Sequence, residues 1–119
     1  MLAKKYRLNL SLRENSSIFE KENSFLLSSR FFLAYLRKNN NHLKVACISP
    51  KAIFLKAADR NHYRRLLYNF LEEEMSKNNF SLLKKNDLII VIKRNFLKDE
   101  VLLKNDFSTL VEKINAKNL

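Results

Sequence analysis

The sequence predicts an α+β fold: a single-domain, two-layer sandwich with a sheet of about four strands covered by helices, in the order αβββαβα. Three observations carry this reading. Tyr63, Leu66, Leu67, Phe70 and Leu71 recur at the spacing of one helix face, and Phe107, Leu110, Val111 and Ile114 do so again near the end. Between them, Asp87-Leu88-Ile89-Ile90-Val91-Ile92-Lys93 is a near-continuous apolar, β-branched run of the kind found in a central strand. At 119 residues and 46% hydrophobic, the chain can bury one core and needs no second domain, so residues 1–119 are read as one unit.

The elements follow in order. Lys4-Lys5-Tyr6-Arg7-Leu8 lacks a period, and residues 1–8 read as a loosely held basic arm. Ser11-Leu12-Arg13-Glu14 matches a capping box, in which hydroxyl and carboxylate satisfy the open N–H groups of a starting helix. A short helix is therefore expected over residues 12–20, with Leu12, Ile18 and Phe19 as its apolar face. Residues 31–36, Phe-Phe-Leu-Ala-Tyr-Leu, read as a strand that residues 25–27 can pair with. After the turn at Asn39-Asn40-Asn41 comes a second strand over 44–48, ended by Ser49-Pro50 because proline cannot donate to a ladder. The spacing predicts an antiparallel hairpin between these two strands. The middle helix runs from Ala57 past Leu71 and breaks at Ser76-Lys77-Asn78-Asn79, and Asn105-Asp106 is positioned to cap the last helix.

Charge narrows the choice of partner. Lys and Arg number 23 against 12 Asp and Glu, a net charge of +11, which exceeds what solubility requires and opposes compaction. A polyanion is the expected partner: nucleic acid first, an anionic membrane surface second. No apolar run approaches the roughly 18–20 residues of a membrane-spanning helix, and the start resembles no secretory signal, so the chain reads as cytoplasmic. The lone Cys47 lies in the apolar run Val45-Ala46-Cys47-Ile48 and reads as a small buried hydrophobe. The absence of glycine excludes the P-loop, the dinucleotide fingerprint and the KH loop, all of which need glycine where backbone approaches phosphate.

The middle helix places its charges against its own dipole. Arg60, Arg64 and Arg65 crowd the first turns and Glu72-Glu73-Glu74 the last, where each exposed charge so placed costs about 0.3–1 kcal/mol. Phosphate facing the first turn would remove the conflict, with Lys51 and Lys56 in the preceding connection adding to the field. No carboxylate pair, metal-ligand cluster or nucleophile arrangement stands out. His42 falls in a turn, and His62 sits among the arginines, where it suits a hydrogen bond to phosphate better than general-base work. Strand alternation puts Phe32 and Ala34 on one face and Phe31, Leu33 and Tyr35 on the other. One of these faces is core, and the other offers aromatics on which single-stranded RNA could stack at about 1–3 kcal/mol per base.

These residues resemble the protein subunit of bacterial ribonuclease P. Arg60-Asn61-His62-Tyr63-Arg64-Arg65 stands where that family has an R-N-R-x-K/R-R run, and Ser49-Pro50-Lys51 with Lys56-Ala57 stands for what precedes it. The likeness extends over Lys5-Tyr6-Arg7-Leu8, Ile18-Phe19, Ser24, residues 30–35, Lys44-Val45 and residues 87–92. The resemblance implies the fold of the second domain of ribosomal protein S5, with a left-handed strand–helix–strand crossover. It also implies an endonuclease that removes 5′ leaders from precursor tRNA, in which the RNA subunit and its bound Mg2+ catalyse and the protein supplies no catalytic residue. On that resemblance, Arg60, Asn61, His62, Arg64 and Arg65, with Lys51 and Lys56, would contact the ribonuclease P RNA. Phe19, Phe32, Tyr35, Arg30 and Lys44 would line a cleft for the precursor tRNA leader. No membrane and no obligate protein partner is expected.

The chain departs from the family pattern at His62, which replaces the middle arginine, and at Leu66, Leu67 and Tyr68, which replace further basic residues. Asn15 falls where an aromatic is expected, and the crossover loop has no glycine. Two rival readings use the same features: a basic RNA-binding module of the ribosomal-protein kind without a part in cleavage, and a duplex-DNA binder reading a groove with Arg60, Asn61 and Arg64.

Overall fold

A computed structural model describes residues 8, 25–39, 42–77 and 86–118. The helix expected over 12–20, Phe19 included, and the basic arm before Leu8 lie outside the described residues. Four strands form one mixed sheet: β1 (Phe25–Ser28), β2 (Phe32–Lys38), β3 (Lys44–Ile48) and β4 (Asn86–Ile92). Two helices, α1 (Ala57–Ser76) and α2 (Glu100–Asn118), pack on one face of it.

The strand order is β1-β2-β4-β3. β1 pairs antiparallel with β2, β2 antiparallel with β4, and β3 parallel with β4. The central place expected for residues 87–93 is therefore occupied by β4, while the hairpin expected between β2 and β3 is not formed, because β4 lies between them. Two physical facts account for this. β4 is apolar on both faces and buried almost throughout, so it gains most from neighbours on both edges. The five residues between β2 and β3 also suffice to pass one intervening strand, a step of about 10 Å.

Asp87, buried at the start of β4, fixes that crossing. Its Oδ2 accepts from Arg37 Nη2 at 2.7 Å and Nε at 3.2 Å, and its Oδ1 accepts from Asn39 Nδ2 at 2.7 Å. The same Asn39 amide donates to the carbonyl of His42 at 3.1 Å. One carboxylate thus ties together the end of β2, the turn and the start of β4, and an unpaired buried carboxylate there would be costly.

Period-2 alternation then sorts the side chains. Phe32, Ala34, Leu36, Val45, Cys47, Leu88, Ile90 and Ile92 face the helices and meet Leu67, Phe70 and Leu71 of α1 and Leu103, Phe107, Leu110, Val111 and Ile114 of α2. Each large side chain in this layer contributes about 1.5–3 kcal/mol by leaving water. On the other face, Ala46 and Ile89 are buried with Leu8, and Tyr35, Ile48 and Val91 pack beside them. Leu8 donates its N–H to the carbonyl of Val45 at 2.8 Å, so the last residue of the expected loose arm is docked along β3.

The last helix starts earlier than expected. Asp99 is its cap, accepting from the N–H groups of Val101 (3.0 Å) and Leu102 (3.2 Å), and Glu100 opens the helix. Asp106, expected as a cap, instead sits mid-helix and accepts from Ser29 Oγ at 2.6 Å and from the N–H groups of Phe31 at 2.8 Å and Arg30 at 3.1 Å. It clasps the β1–β2 turn to α2. Cys47 is buried, and that burial pushes its thiol well above the ordinary range, as suits a core residue.

Candidate nucleic-acid interface

The connection between β3 and α1 is held stiffly against the first turns of the helix. The N–H groups of Ile53 and Phe54 both donate to the carbonyl of Pro50 at 3.0 Å. Phe54 is buried, stacks on Tyr63 of α1 at 4.9 Å and meets Phe96 at the same distance, and Tyr63 meets Phe96 edge-on at 5.3 Å. Ser49 Oγ adds a bond to the carbonyl of Arg60 at 2.7 Å. Burial first, then the carboxylates of Asp59 and Glu100, push the Tyr63 phenol up, so this cluster stays neutral.

Arg60 belongs to this scaffold. Its Nη1 donates to the carbonyls of Phe54 at 2.8 Å and Leu55 at 3.2 Å, and the side chain is half-buried. Arg60, expected among the RNA contacts, thus also closes the loop with its Nη1, and its remaining donors are the ones left to face a partner. Backbone carbonyls leave no mark in a sequence, so nothing there announced it. Phe96, equally unforeseen, lies in a stretch without periodicity.

The other expected residues are on the surface. Lys51, Lys56, Asn61, His62, Arg64 and Arg65 are all exposed. Arg64 Nη2 donates to Asn61 Oδ1 one turn earlier at 2.5 Å, which orients the guanidinium, and His62 packs edge-on against Tyr63 at 4.9 Å. Among the described residues, no carboxylate forms an ion pair with Lys51, Lys56, Arg64 or Arg65. Lys56 occupies the N-cap without a side-chain bond to the helix, so the first N–H groups of α1 open onto the same surface.

The far end of α1 differs. Glu73 Oε2 pairs with Lys104 Nζ at 2.8 Å, and buried Glu74 accepts from Ser108 Oγ at 2.6 Å, so these two acids serve the packing of α1 on α2.

The residues expected to line a cleft separate. Tyr35 and Lys44 are half-buried and project from the face opposite the helices. Phe32 does not: it is fully buried on the helix side, edge-on to Phe107 at 5.7 Å, and can stack on no base. The alternation of β2 defined two faces but not which one the helices would cover. Arg30 is exposed on the turn before β2, its guanidinium 4.9 Å above the Phe31 ring. Among the described residues, no group of three or more His, Cys, Asp or Glu gathers to hold a metal. The exposed side chains of this surface are mainly cationic donors, which do not ligate Mg2+, and no step through that ion is assigned to the protein. No helix among the described residues is long and apolar enough to cross a membrane.

The family model for ribonuclease P matches residues 2–115, nearly the whole chain. The chain belongs to the ribonuclease P protein family. Its fold is similar to the solved ribonuclease P protein of Thermotoga maritima, with a TM-score of 0.71 and 18% identity over 90% of this chain and 96% of that one. It is similar as well to the Staphylococcus aureus ribonuclease P protein, with a TM-score of 0.63 and 17% identity over 92% and 94% of the two chains. No curated protein sequence matches. The α+β sheet-and-helix arrangement is thus shared across ribonuclease P proteins at low identity, and membership implies a ribonuclease P RNA as partner.

Proposed function

We propose that this chain binds the RNA subunit of ribonuclease P through the N-terminal surface of α1 and so assists removal of the 5′ leader from precursor tRNA in the cytoplasm. The observation that carries the reading is the exposed group Lys51, Lys56, Asn61, Arg64 and Arg65, free of ion pairs with described carboxylates on a stiffened loop and helix start. Such a surface suits a sugar-phosphate chain, with guanidinium forks and open N–H groups meeting phosphate oxygens. Catalysis would rest with the RNA and its Mg2+, and this surface would supply positive charge and position, with His62 offering a hydrogen bond to phosphate. Tyr35 and Lys44, on the sheet face opposite the helices, remain the described candidates for the leader, together with Phe19 by sequence position.

Reconstitution tests this. Added to a matching ribonuclease P RNA at low magnesium, the protein is expected to raise the rate of leader removal. No increase across a range of salt and protein concentrations would return the chain to the rival reading, an RNA-binding module without a part in cleavage. For the leader, Tyr35→Ala, assayed well below a melt that lost packing on Ala46 and Ile89 lowers, is expected to reduce the preference for precursor over mature tRNA. An unchanged preference would remove Tyr35 from the cleft.

A further inference from the structure

The geometry points to a second RNA-backbone contact on this chain, formed by Arg94 and Lys98 on the loop between β4 and α2 together with Arg30 on the turn before β2. This inference rests on the proposed binding of RNA by the α1 surface and extends it across the neighbouring loop. All three side chains are exposed, and among the described residues none forms an ion pair.

The two turns are built as one platform. Lys93 donates its N–H to the carbonyl of Phe31 at 2.8 Å and its Nζ to that of Ser29 at 2.6 Å, while Asn95 Nδ2 reaches the carbonyl of Arg30 at 3.1 Å. Lys93 is thus spent on structure, and Arg94 and Lys98 are the cations left facing outward. The carboxylates nearby are engaged within the fold: Asp99 caps α2, and Asp106 receives Ser29, Arg30 and Phe31. Arg30 lies over the Phe31 ring, a placement that holds the guanidinium plane and leaves N–H groups for an anion.

The platform also joins the α1 surface. Phe96, two residues from both Arg94 and Lys98, packs on Phe54 and Tyr63, and Phe54 lies two residues from Lys56. Along this rim the exposed Arg30, Lys51, Lys56, Arg64, Arg94 and Lys98 form no ion pair with a described carboxylate, an excess of positive charge that a phosphate chain matches. The phosphates can come from the RNA subunit or from the precursor leader, and the test separates these sources.

The double variant Arg94→Ser/Lys98→Ser changes only exposed positions, and its fold is checked by circular dichroism. It is assayed beside Arg64→Ala for affinity to ribonuclease P RNA and, after assembly, for preference for precursor over mature tRNA. The double variant is expected to lose about 3–10-fold in one of the two readouts, with a salt slope shallower by about 1–2. A loss in RNA affinity assigns the contact to the RNA subunit, and a loss confined to precursor preference assigns it to the leader. If Arg64→Ala weakens RNA binding and the double variant moves neither readout, the second contact is overturned while the α1 surface stands. If Arg64→Ala is also silent, the underlying reading fails with it.

Discussion

At the C-terminal end of α1, Glu73 and Glu74 are engaged by Lys104 and Ser108 across the contact with α2, whereas at the N-terminal end Arg64 and Arg65 meet no described carboxylate and point to solvent. The acids of the last turn oppose the helix dipole and have a packing reason to do so, whereas Asp59 in the first turn suits it and Arg64 and Arg65 lie about two turns further in. Packing accounts for the acids. Apart from the bond of Arg64 to Asn61, the exposed arginines carry no packing role among the described residues, which suits side chains placed for a partner. Arg60 stands between the two cases, half-buried and bonded to the Phe54 and Leu55 carbonyls.

Substitutions along α1 should follow this gradient. The largest effect is expected at Phe70, buried against Phe107 at 5.7 Å: Phe70→Ala should cost about 3–5 kcal/mol in urea unfolding. A loss below 1 kcal/mol would mean that α1 is not anchored through this half. Next, Glu74→Ala leaves the Ser108 hydroxyl without its acceptor and should cost about 1–3 kcal/mol with RNA binding unchanged. A variant that instead loses RNA affinity at native stability would reverse the contrast between the ends. Arg60→Ala should show both faults, about 1–2 kcal/mol of stability from the freed carbonyls and a modest loss of RNA affinity. Neutral stability would show that the loop does not depend on it.

The smallest effect is expected for the Glu73–Lys104 pair. The hydrogen bond from Lys104 holds the Glu73 carboxyl below its ordinary value, so the pair favours the folded state above the carboxylate range. That contribution fades as pH falls through the folded-state pKa. Both partners are about half exposed, so Lys104→Ala should leave the melt nearly unchanged at neutral and acid pH alike. A clear drop confined to neutral pH would show that the pair does more than its exposure suggests.

Much of the fold was legible in the sequence, because burial stamps a period on it. The stripes of Leu67, Phe70 and Leu71 and of Phe107, Leu110, Val111 and Ile114 face the core as their spacing required, and β4 is central. What was not legible depends on tertiary choices. Local spacing favours a β2–β3 hairpin, but β4 competes for both strands and wins through its two apolar faces and Asp87. Asp106 looks like a cap until the β1–β2 turn arrives to use it. Phe32 and Tyr35 are neighbours in an alternating strand, and only the position of the helices decides that Phe32 is core. The exposed members of the basic surface could be read directly, since an arginine at a helix start with nothing to pair with needs no fold to be conspicuous, whereas the bonds that occupy Arg60 run to carbonyls that every residue carries.

The salt dependence of binding to ribonuclease P RNA, compared between the parent and Arg64→Ala/Arg65→Ala, tests the account most directly. If these side chains release counterions from the RNA, the variant should bind more weakly and its log–log slope should be shallower by about 1–2. Equal affinity and equal slope, with both proteins folded, would contradict it.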